Sequence, residues 1–348
     1  MWTTVECAGH PRDMGLAQGA AARVAIRTEL ERIGLPTQRS RVPNLRGLLA
    51  GPVRGSGSGR EFYRHFPHLA ERLEGLAAAA GVSADSILDL HLRVRAGGAM
   101  GGLLSRRASV RTRTVAGDGT EKRALLERTL PQAVDGEAGW ILRESRPAVG
   151  YRSIEVGLPW LVSAVGGVNV GGLAIVSGPL LWGAPGRDGG SPSLLLVQEC
   201  LQRFSDVSGA LDWCIKRPVE GEQSFVLADA SGATATVAVN GCERRVQEGE
   251  GELYLEGGEL PSSGVEGDDP GLVAGRFAAQ DLVPDENESD RDVDDSDSPL
   301  GDASTSSSRR SDRIWLDPAA RRLKIDSAGA SIDIELLESF RSNLELGC

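Results

Sequence analysis

Five cysteines, four histidines and a few polar residues at strand and turn positions are the groups in this chain that could do chemistry. Cys7, Cys200, Cys214, Cys242 and Cys348 are odd in number, widely spaced and without a CxxC pair, which argues against zinc sites and disulfide frameworks. His65 and His68 flank "FP" with no carboxylate or cysteine beside them in sequence, so no metal is expected there. No GxGxxG follows a predicted strand and no GxxxxGK precedes a Ser or Thr, so nucleotide binding through those devices is not expected. "GRDGGSPS" at 186–193 lacks a Lys and reads as a loop. "DRDVDDSD" lacks the central Gly and closing Glu of a calcium loop and reads as a solvated acidic tract. What remains is "SRRASVRTRTVAGDG" at 105–119, an exposed stretch that enters a strand through Ala108 and Ser109. A serine hydroxyl is a nucleophile only where a base takes its proton. Asn169, in the turn "GVNVGG", offers a neutral amide donor of the kind that steadies an oxyanion, and also suits a tight turn by itself. Arg128 in "ERTLP" suits a substrate carboxylate or a strand edge facing water.

The elements that must position these groups follow from period. "VECAGHPRDMGLAQGAAARVAIRTELERIG" predicts a strand, a Gly turn and an amphipathic helix carrying Val24, Ile26, Leu30 and Ile33. Leu69, Leu73, Leu76 and Ala80 mark a second helix, stopped by Gly81; Ser83 caps a third. From Ala108 the period becomes two, and "GDG" predicts a hairpin with "RALLERTL". Residues 151–181 predict two or three strands with Gly turns, followed by helices over Leu194–Phe204 and Val207–Lys216. A hairpin around Asp229 and a strand pair turning at Asp317-Pro318 come next, and "SIDIELLESFRSNLEL" is expected to close the chain as a helix. The order is α+β rather than a βαβ repeat. The expected division is a helical part at 1–100, a core double sheet with helices at 101–260, an acidic Ser/Asp-rich insertion at 261–312, and closing strands with a helix at 313–348. Within the insertion, residues 285–312 have almost nothing apolar and predict disorder.

Composition narrows the partners. The net charge of −11 argues against nucleic acid. There is no apolar leader and no run of 18 apolar residues, so a soluble, cytoplasmic protein with no membrane contact is expected. No metal or cofactor is expected, and the oligomeric state is left open.

Three segments together resemble one family. "AGHPRDMGLAQG" at 8–19, "FPHLAERLEGLAAAAGVSADSILDLHL" at 66–92 and "GGVNVGGLAI" at 166–175 resemble, in that order, motifs of the penicillin (isopenicillin N) acyltransferase family of N-terminal-nucleophile hydrolases. The resemblance covers most of residues 5–245 and part of 312–330. It implies a four-layer αββα sandwich and cleavage of the chain before a nucleophile at a central strand start. The freed α-amine, with an ordinary pKa of about 7.7–8.0, then serves as that residue's base. The implied substrates are amides or thioesters of small acids, acyl-coenzyme A among them. The family's nucleophile is a Cys, and this chain has none between Cys7 and Cys200. Ala108 fills the slot if the strand carries an extra residue, and Ser109 if it does not. Arg128 matches the first residue of the family's second motif, while Thr129 and Pro131 replace its Asn and carboxylate. Asn169 matches the residue that positions substrate and steadies the oxyanion.

Three readings stay open. One is an acyltransferase or amidohydrolase using Ser109, Asn169 and Arg128. Another is an inactive descendant of the fold serving as a binding or scaffold protein. The third moves the chemistry to Cys200 or Cys214, on predicted helices where a core cysteine is the commoner occurrence.

Overall fold

Where the sequence changes period, the chain changes layer. A computed structural model describes residues 2–37, 57–94, 109–116, 122–130, 139–179, 190–249, 253–256, 312–327 and 330–336. Ala108, the Asp118-Gly119 turn, the acidic tract up to residue 311 and the last residues, 337–348, lie outside them.

Eight strands form the first sheet: β1 (Thr3–Gly9), β4 (Ile141–Pro147), β5 (Ser153–Gly157), β6 (Gly166–Asn169), β7 (Leu173–Ser177), β10 (Glu222–Asp229), β11 (Thr234–Asn240) and β12 (Glu243–Gly249), hydrogen-bonded in that order. Its pairs are antiparallel except β1 with β4. Six strands form the second sheet, in the order β13 (Tyr254–Glu256), β2 (Ser109–Ala116), β3 (Lys122–Leu130), β14 (Asp312–Asp317), β15 (Arg322–Ser327) and β16 (Ala330–Glu335). A two-residue parallel pair, β8 (Ser191–Pro192) with β9 (Val219–Glu220), stands apart.

Helices α1 (Pro11–Ala21) and α4 (Pro67–Ala80) cover one face of the first sheet near β1 and β4; α6 (Leu195–Arg203) and α7 (Val207–Lys216) cover it farther along. The second sheet covers the other face. Strands β5, β6 and β7 are buried at every residue, as sheet strands covered on both faces must be. The chain thus has the expected α+β sandwich of helices outside packed sheets. No helix of the described residues is long and apolar enough to cross a membrane.

Local signals account for most boundaries. α4 starts on Pro67 and ends where Gly81 takes a left-handed φ of 74°, its N–H and that of Val82 returning to the last carbonyls. Ser83 Oγ accepts from Asp85 N at 3.2 Å and so caps α5 (Ala84–Val94). Asp229 accepts from the backbone of Ser231 and Ala233 and sets the β10–β11 turn. Two expectations need correction. The first predicted helix is two, α1 and α2 (Arg23–Arg32), and Val24 lies 78% exposed rather than on the buried face with Ile26 and Leu30. The predicted closing helix begins instead as strand β16: Ile332 and Ile334 alternate with polar residues and pack on the core, while Asp333 ties Arg322 of β15 at 2.5 and 2.7 Å. The alternation and a free sheet edge prevail over helical period there.

The closest packing is between α1 and α4. A Cβ at Gly15 would stand 2.0 Å from the Arg72 carbonyl oxygen, at Gly19 2.2 Å from that of Leu76, and at Gly75 2.1 Å from that of Arg12. In an open helix, Gly75→Ala would gain about 1 kcal/mol of propensity. Here the obstacle is backbone, which cannot swing aside, so overpacking prevails and roughly 1–3 kcal/mol is lost. The urea midpoint of Gly75→Ala should therefore fall below that of the parent.

His91 of α5 is buried against Trp160. Its Nδ1 donates to Ile87 O at 2.8 Å and its Nε2 accepts from Val162 N at 3.1 Å, which together require the neutral ring. Burial lowers its pKa from 6.5 to about 4. Between those values the unfolded chain binds a proton that the folded one refuses. Stability should be full above pH 6.5 and fall by roughly 3 kcal/mol on descent to pH 4. His91→Gln, compared with the parent in urea at several pH values, should flatten that slope.

Candidate functional site

Ser109 is the first residue of β2. Its backbone lies opposite Glu256 of β13, and its neighbour Val110 lies opposite Arg128 of β3. Val110 and Thr112 are buried between the sheets, while Arg111 meets Glu127 on the other face at 2.6 Å. Ala108, the other candidate for the strand start, lies outside the described residues.

Arg128 is fully buried. Its side chain crosses from the second sheet to the first, where Nη1 donates to Val165 O at 2.7 Å and to Ser177 Oγ. Ser177 Oγ donates in turn to Val165 O at 3.0 Å. Burial lowers the Arg128 pKa to about 9, which leaves it a cation at neutral pH. The alternative of a strand-edge Arg facing water is thereby corrected: Arg128 is buried with Ala124, Leu126 and Leu130 of the same strand.

Asn169 ends β6 and is also fully buried, but on the helix face. Its Nδ2 donates to Leu201 O at 2.8 Å and Phe204 O at 2.7 Å, and its Oδ1 accepts from Leu173 N at 3.0 Å. Both amide hydrogens are therefore spent on the end of α6, and none is left for an oxyanion. Four residues of strand, about 13 Å, separate it from Val165 and so from Arg128. The expected meeting of Ser109, Arg128 and Asn169 in one cleft is corrected accordingly. Arg128 lies by the start of β2, and Asn169 lies at the far end of β6 on the opposite face of the sheet. A Gly-x-Asn turn specifies backbone shape; which carbonyls the amide meets depends on the helix that packs beside it.

That helix end borders a cavity of about 680 Å³ between α1, α4, the β4–β5 turn and the C-terminal end of α6. The turn is held against α6 by Tyr151 N donating to Gln202 O at 3.0 Å, with Gly150 at a φ of 110° where a side chain would strike that same oxygen. His10, Met14, His68, Arg72 and Trp213 are among the residues that line it, Met14 and Arg72 being almost wholly buried. Sequence reasoning missed this cavity, although "GHPRDMG" and "HFPH" carry several of its residues.

Both histidines left without partners at the sequence level have carboxylates. His65 Nε2 stands 2.8 Å from Glu61, one helical turn earlier in α3 (Gly57–His65), a spacing that sequence could have flagged. His68 Nε2 stands 2.5 Å from Glu199 of α6, which no local spacing could reveal. No cluster of potential metal ligands occurs among the described residues. Cys200 and Cys214 are buried with their sulfurs 3.6 Å apart. The contact with Cys214 and then burial push the Cys200 thiol well above its ordinary pKa, so it is not the thiolate that nucleophilic chemistry needs.

No known family matches the sequence, and no curated protein does. Among solved structures the chain is similar to penicillin V acylase from Agrobacterium tumefaciens, at 15% identity over 66% of this chain and 86% of that one, with a TM-score of 0.40. It is similar to a mutant of the conjugated bile acid hydrolase from Clostridium perfringens, at 13% identity over 66% and 93%, with a TM-score of 0.38. It is also similar to an N-acylethanolamine-hydrolyzing acid amidase ortholog from Caenorhabditis elegans, at 11% identity over 42% and 68%, with a TM-score of 0.30. At these identities and superpositions the fold class rests on the two sheets themselves.

Asn169→Ala strands two buried carbonyls and one N–H. It should cost roughly 3 kcal/mol in urea unfolding, since each unmet buried group is worth about 1–3 kcal/mol. An unchanged midpoint would remove the bracing role given to this amide.

Proposed function

We propose that this chain is an acyl-transfer protein of the N-terminal-nucleophile type, an amide hydrolase or acyltransferase acting on small acyl compounds through Ser109. The observation that carries the reading is position: Ser109 opens a strand of the second sheet, beside the strand that carries the buried cation Arg128. In the proposed maturation, Ser109 Oγ adds to the Ala108 carbonyl carbon and the peptide C–N bond breaks. The hydroxyl proton passes to the departing nitrogen. Water then hydrolyses the ester, leaving an Ala108 carboxylate and a free Ser109 α-amine. In turnover that amine takes the Oγ proton as Oγ adds to the substrate carbonyl, and returns it to the leaving amine or thiol. Water or an amine then accepts the acyl group. The substrate is a small acyl amide or thioester, acyl-coenzyme A included, and the steps call for no cofactor. Arg128 is proposed to set the positive field beside the strand start. Asn169 supports the fold of the site from behind rather than donating to the oxyanion. A cytoplasmic setting fits the free thiols Cys7, Cys200, Cys214 and Cys242.

A second reading, a non-catalytic binding protein on the same fold, is favoured by one observation. The hydrogen bonds of both Arg128 Nη1 and the Asn169 amide end on groups of the fold itself.

Intact mass of the purified chain separates the two. The nucleophile reading expects fragments 1–108 and 109–348, an uncut Ser109→Ala variant, and processing retained in Ser109→Cys. Only the processed forms should hydrolyse acyl p-nitroanilides or acyl thioesters. A single full-length parent species without turnover would sink the nucleophile reading and leave the binding protein.

A further inference from the structure

Two helices of unequal anchorage meet at a pair of thiols. Helix α6 is buried at every residue from Leu195 to Gln202. Helix α7 is held by a narrower face, Val207, Ala210, Leu211 and Cys214, and turns Ser208, Asp212, Ile215 and Lys216 to solvent. Cys214 of that face meets Cys200 of α6, both fully buried, with their sulfurs 3.6 Å apart. Cys200 Sγ also stands 3.8 Å from Ala210 O. A thiol is a weak donor, so neither contact holds α7 firmly. The sulfurs of a disulfide lie about 2.05 Å apart, so about 1.5 Å of closure, shared by two side chains, makes one here.

We propose that Cys200 and Cys214 are a reversible redox pair, closed to a disulfide by a small disulfide oxidant of the glutathione type, and that the bond fastens α7 to α6. One cysteine loses its proton and its sulfur attacks a sulfur of the oxidant, releasing one small thiol. The second cysteine, deprotonated in turn, attacks the protein sulfur of the mixed disulfide and releases the other. Two electrons pass to the oxidant, and the two protons lost by the cysteines end on the two released thiols. Both sulfurs are buried, so the exchange waits on opening of α7, the less anchored helix. The contact with Cys214 and then burial oppose the Cys200 thiolate, so the exchange is slow at neutral pH and faster in alkali. The fold sets the equilibrium rather than the rate: two sulfurs held in contact meet at a far higher effective concentration than in an unfolded chain. The bond also fixes part of the cavity wall, which includes Gln202 and Arg203 of α6 and Trp213 of α7. No step uses Ser109.

The test uses the full-length chain with Cys242→Ser and Cys348→Ser, which removes two competing thiols. It is equilibrated with mixtures of reduced and oxidised glutathione at about pH 8.5, both folded and in urea, then acid-quenched, alkylated and mapped by peptide mass. The folded chain should carry a 200–214 disulfide that dithiothreitol reverses. It should reach half-oxidation at a glutathione ratio at least about tenfold more reducing than the chain in urea. The oxidised form should then melt a few degrees above the reduced one, since whatever favours the bond in the fold favours the fold in the bonded chain. Cys200→Ser and Cys214→Ser should each abolish both effects. Should either fail to fold, the comparison of folded with unfolded chain still decides, because it changes neither residue. Half-oxidation at the same ratio in both states overturns the proposal, as does a folded chain whose Cys200 and Cys214 stay reduced at equilibrium. Ser109→Ala should form the bond like the parent, so the fate of the nucleophile reading and that of this pair are read separately.

Discussion

Arg143 holds the helix layer to the sheet. It rises from β4, fully buried, and all five of its guanidinium hydrogens are accounted for. Nε donates to Glu155 at 2.6 Å, Nη1 to Gln18 of α1 and to Leu161 O at 3.0 Å each, and Nη2 to Ser163 O at 2.9 Å and Gln198 of α6 at 2.6 Å. Glu155 accepts further from Ser145, Ser153 and Gln198. Burial alone would raise the Glu155 carboxyl; Arg143, Arg72 and these donors hold it below its ordinary pKa instead. A buried pair of this kind is a weak source of net stability. Its contribution is placement: two helices, two strands and the 158–165 connection have one mutual arrangement that meets every donor.

The glycine contact of α1 with α4 works on the same layer. Gly15, Gly19 and Gly75 allow the two backbones to touch. Arg72 lies within that contact and is carried over Cys7 and Ser145, beside a carboxylate already engaged. The excess buried cation is a consequence of how closely those helices pack.

The two faces of the first sheet therefore carry different chemistry. Between the sheets, Arg128 ties β3 to Val165 and Ser177 beside the start of β2. On the helix face, Asn169 ties the β6–β7 turn to the end of α6, and that end walls the cavity. Both residues brace one layer against another, and both are buried because each bridges groups that would otherwise go unpaired.

Much of the local structure was legible in the residue order. The helix of Leu69, Leu73, Leu76 and Ala80, its stop at Gly81, the hairpin at Asp229, the strand pair at Asp317-Pro318 and the change to strand period near residues 108–109 all follow from period and turn chemistry, which act within a few residues. The strand at 330–335 was missed because "SIDIE" alternates over too few residues to compete with the apolar period that follows it. The parallel pairing of β1 with β4, the meeting of His68 with Glu199, the sharing of Glu155 by two arginines and the direction of the Asn169 amide were decided by tertiary structure alone. Each depends on at least one partner more than thirty residues away in the chain. Spacing within a segment carries no record of such a partner, and the packing of sheet and helices is what selects it.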